Sequence, residues 1–442
     1  MAFKIDNQTI NDLKIIGDNK GNDIYSLFNK TQTRGGAELL KDMFLHPFSK
    51  AADINQRVII IRYFKGKKIE FPFNNAVFDT IEFYLSNSDE RTKLQMREDD
   101  LKRKFDNVVG SDTEYQLLKK GVEASLEFLL DFHLFISKIE TEYALFDFHD
   151  NMKKVQEIFS MPDLGFVKDF IKSKKLSYAQ VVRYDTLLRF TIHKAILKLL
   201  NYAYEIDVLI AVSKTATELK FAFAEINSDH SSEIEIKGIF HPLVSKPVSN
   251  DITINENNNM IFLTGANMAG KSTFMKTFSI AVYLAHMGFP IPAEKMRFTV
   301  QNGMYTTINL PDNINTGFSH FYAEVSRLKQ VAKSVNANER LIVVFDELFR
   351  GTNVKDAYDA TVAVIAAFAN KRKCTFIIST HIVEAGEDLK QMRDNIRFLY
   401  LPTVMVGQVP QYTYKLAEGI TSDRHGMIII KNEGILDILK VN

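Results

Sequence analysis

The residues best suited to chemistry are Gly265-Ala266-Asn267-Met268-Ala269-Gly270-Lys271-Ser272, followed by Thr273. They fit the pattern G-x-x-x-x-G-K-[ST]. MIFLTG (260–265), which reads as a strand, precedes them, and STFMKTFSIAVYLAHMG (272–288), which reads as a helix, follows. The two glycines let the backbone turn tightly and aim its N–H groups at phosphate oxygens. The N-terminus of the following helix adds partial positive charge. In such a loop Lys271 reaches the β- and γ-phosphates of a triphosphate, and the Ser272 hydroxyl ligates Mg²⁺. A second piece is LIVVFDE (341–347), an apolar strand ending in two acids. This predicts Asp346 as a Mg²⁺ ligand and Glu347 as the group that orients or deprotonates the attacking water. Two acids at a strand end also suit an ordinary solvated loop; the phosphate loop upstream favours the catalytic reading. The third piece is TFIISTH (375–381). Its His381 stands at the polar end of an apolar strand, where a γ-phosphate contact and a structural role are equally compatible with the spacing. The remaining histidines form no H-E-x-x-H pattern, so zinc chemistry is not indicated. Cys374 reads as a small core residue.

These groups need a scaffold that gathers them. Compact apolar strands alternating with helical stretches such as AYDATVAVIAAFA (357–369) predict a parallel sheet covered on both faces. Ligands of such sheets sit beyond the carboxyl ends of the strands, where all three polar termini fall. The tail IRFLYLPTVMVGQVPQYTYKL (396–416) reads as antiparallel strands closing an edge, with a last helix around 422–440. Upstream the pattern is helical. LKKGVEASLEFLLDFHLFISKIETEY (118–143) and YDTLLRFTIHKAILKLLNYAYEIDVLIAVSKTATELKFAFAEI (184–226) hold apolar residues at helical spacing without Pro or mid-run Gly. The second run, as one helix, spans roughly 60 Å. A plain helical bundle is the simplest reading of this half; lever-like helices are the alternative. The prolines and short β-branched runs of 234–251 mark the change between the halves.

Composition bounds the function classes. With 442 residues, 46% hydrophobic and 25% charged, the chain has the makeup of a folded protein. At roughly 100–200 residues per domain, two or three domains are expected. A single cysteine excludes a disulfide framework. The absence of long apolar runs predicts no membrane partner, and the polar start MAFKIDNQTINDLK is not a secretory signal, so a cytoplasmic location is expected. A net charge of +1 gives no global reason to expect nucleic acid; any basic surface must be local.

Together the motifs resemble the MutS family of DNA mismatch-repair ATPases, whose nucleotide domain is of the ABC type. TGANMAGKST (264–273) is similar to that family's TGPNMxGKST, and DELFRGTNVKDA (346–357) to its DEIGRGTSxxDG. STHIVE (379–384) resembles ATHYxE, GFSHFYAEVSRL (317–328) resembles GxSTFxxEM, and GIFHPLV (238–244) resembles GRHPVV. Weaker similarity extends to GAELLKDMFLHP (36–47) and YKLAEGITSDRHGMIII (414–430). The resemblance implies an α plus α/β fold: a helical core and lever domain over 1–233, then a P-loop ATPase domain with a mostly parallel sheet over 234–442. It implies ATP and Mg²⁺ as cofactors. It places Asn267 near the γ-phosphate, makes His381 a switch histidine, and puts Ser319 on the signature serine that contacts nucleotide across a homodimer.

The departures from the family pattern carry expectations of their own. No G-x-F-Y-E wedge motif occurs, and the core similarity begins near residue 20, so the chain reads as a short paralogue without the mismatch-recognition and connector domains. Phe318 and His320 replace the usual Arg and Thr of the signature, and Val248 lies near where the family often stacks an aromatic ring on adenine. Basic clusters at 65–68, 93–105 and 172–175 are candidates for phosphate contact with DNA read by shape, or solvated faces. The expected function is an ATP-dependent dimeric clamp on mismatched, branched or distorted DNA. The rival is an ATP-switched scaffold that binds a protein instead; a small-molecule P-loop kinase is a third option, without a recognisable acceptor site.

Overall fold

Thirteen α-helices and twelve strands are assigned in a computed structural model that describes residues 3–17, 21–67, 69–94, 111–140, 146–169, 175–227, 232–308, 320–335, 339–349, 352–407, 409–421 and 438. In the first half the helices are α1 (Asn7–Asp12), α2 (Ile24–Phe28), α3 (Arg34–Leu45), α4 (Ala51–Lys67), α5 (Asn75–Ser86), α6 (Ser111–Glu140), α7 (Phe146–Phe159), α8 (Tyr178–Thr186) and α9 (His193–Glu218). There follow β1 (Glu225–Ile226), β2 (Glu233–Ile239), β3 (Asn250–Asn255), β4 (Met260–Gly265), α10 (Lys271–His286), β5 (Lys295–Phe298), β6 (Gly303–Thr307) and α11 (His320–Val335). The remainder is β7 (Leu341–Phe345), α12 (Val354–Ala369), β8 (Thr375–Ser379), α13 (Ala385–Met392), β9 (Ile396–Leu401), β10 (Thr403–Val406), β11 (Val409–Tyr412) and β12 (Ala417–Glu418). The chain divides into two units. One comprises 1–28, 43–59 and 215–442; the other 29–42 and 60–214.

The first unit is built on a six-stranded sheet of order β12-β9-β4-β8-β7-β6. Its pairs are parallel except β12 on β9. Every residue of β4, β7 and β8 is buried, as a sheet covered on both faces demands. Met260, Phe262, Val343, Phe345, Phe376 and Ile378 pack with residues of α11, α12 and α13 in one apolar core. The alternating residues Ile261, Leu263, Val344 and Ile377 face the other side and are equally buried. Helix α10 is buried over Phe274–His286 apart from the half-buried Lys276, which explains why STFMKTFSIAVYLAHMG shows no polar stripe. A second sheet, β1-β5-β2-β3, carries the 234–251 junction as the antiparallel pair β2 and β3.

The N-terminal segment closes the β6 edge. The Lys4 N–H donates to Asn302 O and the Met304 N–H to Lys4 O. The Asp12 carboxylate accepts from Thr306 Oγ1 and from the Ile308 N–H, each at 2.8 Å. An open strand edge is thereby satisfied within the chain.

In the helical unit, an aromatic cluster of Phe73, Phe78, Phe128 and Phe132 packs α5 against α6. The Asp207 carboxylate of α9 accepts from the N–H groups of Gln32 and Thr33 and from Thr33 Oγ1, at 2.7–3.0 Å, fixing the start of α3.

Two expectations are corrected. The run 184–226 is not one helix. A π-helical turn at Leu187–Thr191 separates α8 from α9, with the Ile192 N–H bonded to Leu187 O. Arg189 in that turn is fully buried on Asp185 and also donates to Asn87 O and to Thr92 Oγ1 and O. Satisfying a buried guanidinium sets the break. Helix α9 ends at Glu218 because Lys220 takes a left-handed φ of 54° and the Phe221 N–H returns to Ala216 O. The tail 396–416 is antiparallel only in part: β10 and β11 form an antiparallel pair, whereas β9 does not join them. It enters the sheet parallel to β4, α13 being the crossover from β8, and only β12 closes that edge in antiparallel fashion. The helix expected around 422–440 falls outside the described residues apart from Ile438.

Candidate functional site

The predicted loop joins the end of β4 to the start of α10. Gly265 has φ +147° and Gly270 φ +101°; Met268, at φ +69°, is the non-glycine residue in the left-handed region here. A Cβ on Gly265 would meet Leu401 O at 3.3 Å, and one on Gly270 would meet the Tyr414 ring at 3.1 Å. Both glycines are required by conformation and by close neighbours. The loop turns through the Ala269 N–H bond to Ala266 O, and α10 begins with the Phe274 N–H on Gly270 O. Ala269 is buried, while Asn267 and Thr273 are exposed and Met268 is 78% exposed at the tip.

Lys271 is buried and curls back over the loop, its Nζ donating to Gly265 O at 2.9 Å and Ala266 O at 3.3 Å. Burial lowers its pKa, and the charges of Asp346 and Glu347 oppose that shift. Asp346 and Glu347, just beyond β7, are thus the charges that act on the lysine of the loop. Ser272 occupies the first turn of α10.

Asp346 follows β7 directly, its N–H bonded to Thr307 O of β6. Ser379 Oγ, at the end of β8, donates to Asp346 Oδ1 and accepts from the Glu347 N–H at 3.1 Å. Glu347 has a left-handed φ of 51°, which costs a residue with a Cβ about 1–2 kcal/mol. Its Oε1 lies 2.8 Å from His381 Nε2. The structure thus brings Lys271, Asp346, Glu347 and His381 to one end of the sheet. Ser319 and Phe318 lie outside the described residues, as does the side chain of His320.

A cavity of about 360 Å³ opens beside the loop, lined by His241, Val248, Gly270, Thr273, Phe274 and Tyr414 among others. Burial holds His241 neutral, its pKa pushed down to about 4 with help from the Lys276 and Lys14 charges. A partly apolar slot beside the N-terminus of α10 suits a planar, uncharged group attached to an anion. Sequence reasoning missed Ser379 and Tyr414. Ser379 had a signal, a hydroxyl two residues before His381 at a strand end. Tyr414 had none, because it meets Gly270 from 144 positions away.

Of the basic clusters, Lys65 and Lys67 lie in the last turn of α4. Lys68, residues 95–105 and 172–174 lie outside the described residues. No described helix is long and apolar enough to cross a membrane.

Residues 261–439 match the family model described as MutS domain V. The chain is similar to the DNA mismatch repair protein MutS of Thermotoga sp. (strain RQ2), 22% identical over 98% of this chain and 64% of that protein. It is also similar to the MutS of Fusobacterium nucleatum, 26% identical over 87% of this chain and 44% of the relative. Similarity to the MutS of Persephonella marina reaches 30% identity over 52% of this chain and 26% of the relative. The chain therefore spans less than two thirds of the length of these curated relatives.

Proposed function

We propose, on the premise that the chain is a relative of the MutS proteins, that it is a Mg²⁺-dependent ATPase working as a dimeric clamp on branched or distorted DNA. The observation that carries this reading is that Lys271, Asp346, Glu347 and His381 stand at one end of the sheet, with Glu347 against His381 and the charges of Asp346 and Glu347 acting on Lys271. Triphosphate oxygens take the place of the Gly265 and Ala266 carbonyls as partners of Lys271 Nζ. Backbone N–H groups of the loop other than that of Ala269, with the α10 N-terminus, hold the remaining phosphate charge, with Asn267 near the γ-phosphate. The adenine enters the cavity between Val248 and Tyr414.

The donor set suits a hard cation. Ser379 holds one Asp346 carboxylate oxygen, so the other would be the oxygen that ligates a metal, with the Ser272 hydroxyl as second ligand. A Mg²⁺ ion bound by these residues would supply positive charge beside the phosphate oxygens. Glu347 takes a proton from the attacking water, and His381 holds the Glu347 carboxylate in place. Ser319 is assigned to the nucleotide of the partner protomer, so that ATP draws two copies together.

A direct test compares two variants. Lys271→Ala is expected to abolish the thermal stabilisation that ATP gives the parent, about 2.7 kcal/mol at a hundredfold excess over Kd. Glu347→Ala is expected to bind ATP, to lose turnover at least 100-fold and to accumulate as a dimer. Hydrolysis by Glu347→Ala at the parent rate would remove the assignment. DNA binding is tested with branched, mismatched and plain duplex across a salt series, with and without ATP. Failure to bind any of them at low salt would support the protein-binding scaffold instead.

A further inference from the structure

We infer that Ser379 is the positioning residue that sets the geometry of both acids at this site, an inference that rests on the ATPase reading above. Ser379 closes β8 and is fully buried. Its hydroxyl has one proton to donate and lone pairs to accept with. It donates to Asp346 Oδ1 and accepts from the N–H of Glu347. Its own carbonyl accepts from the Leu348 N–H at 3.3 Å. One residue therefore ties three consecutive residues of the neighbouring strand's exit to β8.

Three properties of the site depend on this tie. Glu347 and Phe349 both have left-handed φ angles, 51° and 62°, so the exit from β7 is a turn that must be held against its backbone preference. The Ser379 bond to the Glu347 N–H supplies part of that hold. The bond to Oδ1 fixes the rotation of the Asp346 carboxylate and leaves its other oxygen for the cation. The pairing of Glu347 with His381 follows, since both side chains spring from the two strand ends that Ser379 joins. Ser379 touches no phosphate and no water in this scheme; it acts through Asp346 and Glu347.

The test uses the full chain with Ser379→Ala and Ser379→Thr, measuring three quantities. These are affinity for a fluorescent ATP analogue in EDTA, the Mg²⁺ dependence of that affinity, and steady-state hydrolysis. Loss of a hydrogen bond to a charged group predicts that Ser379→Ala needs about 10-fold more Mg²⁺ and turns over about 10-fold slower. Its metal-free affinity should stay within about twofold of the parent, which general loosening of the loop would not allow. Ser379→Thr, keeping the hydroxyl, should restore the Mg²⁺ dependence. Parent-like Mg²⁺ dependence and turnover in Ser379→Ala would overturn the inference. Loss of metal-free affinity along with the rest would also overturn it, showing a role in packing. If the parent itself bound no ATP analogue, the ATPase reading would fall, and this inference with it.

Discussion

Burial decides how individual groups behave in this protein. His286 is fully enclosed in α10, with Nδ1 2.8 Å from Val282 O and Nε2 accepting from the Gln301 N–H at 2.9 Å. Burial pushes its pKa down to about 4, the two backbone contacts only partly offsetting this. The unfolded chain protonates this histidine near pH 6.5, whereas the folded chain does not until about pH 4. Folding stability from this residue is therefore complete above pH 6.5 and lost as the pH falls toward 4, up to about 3 kcal/mol. Denaturant titrations at pH 7 and pH 4.5 should differ accordingly, and His286→Gln should shrink the difference. At the site, His381→Ala should lower turnover about 10- to 100-fold while leaving ATP affinity near the parent value. A loss of affinity with unchanged turnover would place His381 on the nucleotide rather than on Glu347.

Elements here are held by a few buried carboxylates that satisfy backbone far away in the chain. Asp12 is the clearest in the sheet unit. Its Oδ2 takes the Thr306 hydroxyl and the Ile308 N–H, its Oδ1 takes Gln8 Nε2, and Thr9 Oγ1 accepts from the Thr306 N–H. Arg327 of α11 adds an ion pair to Asp6 and donates to Thr306 O at 2.8 Å. The segment that closes β6 is thus also anchored to the helix that follows Ser319. Asp12→Ala leaves buried donors unpaired and should cost about 2–4 kcal/mol in urea unfolding. Asp207 has the same office in the helical unit, where Asp207→Asn should cost about 3 kcal/mol by turning an amide toward N–H donors. A change below about 0.5 kcal/mol in either would show that water satisfies these groups equally well.

For the molecule as a whole, the sheet unit has its chemical groups at one end, and the division between the units passes through α3, α4 and α9. The proposed clamp requires ATP state to alter what those helices carry. Glu347→Ala saturated with ATP should sediment as a dimer, and its DNA affinity should differ from that of the ATP-free form. Contacts to phosphates should make that affinity fall steeply with salt, in proportion to the number of phosphates neutralised. A monomer under all nucleotide conditions would exclude composite sites completed by Ser319.

The glycine-bounded turn before α10 and the polar ends of β7 and β8 were legible as backbone features from residue order because their parts are neighbours in the chain. Gly265, Gly270, Lys271 and Ser272 share one turn of backbone, and the apolar runs of β4, β7 and β8 announce a sheet covered on both faces. Long helices were legible as helices, but not where they stop. The break at 187–191 depends on the burial of Arg189 beside Asn87 and Thr92, and the parallel entry of β9 depends on its place beside β4. Nor could residue order show that Ser379 meets Glu347, that Tyr414 meets Gly270, or that Asp12 meets Thr306. Hydrophobic periodicity encodes which face of an element is buried. Which two distant faces meet is decided by the packing of the whole unit, and so are the partners of the polar groups enclosed there.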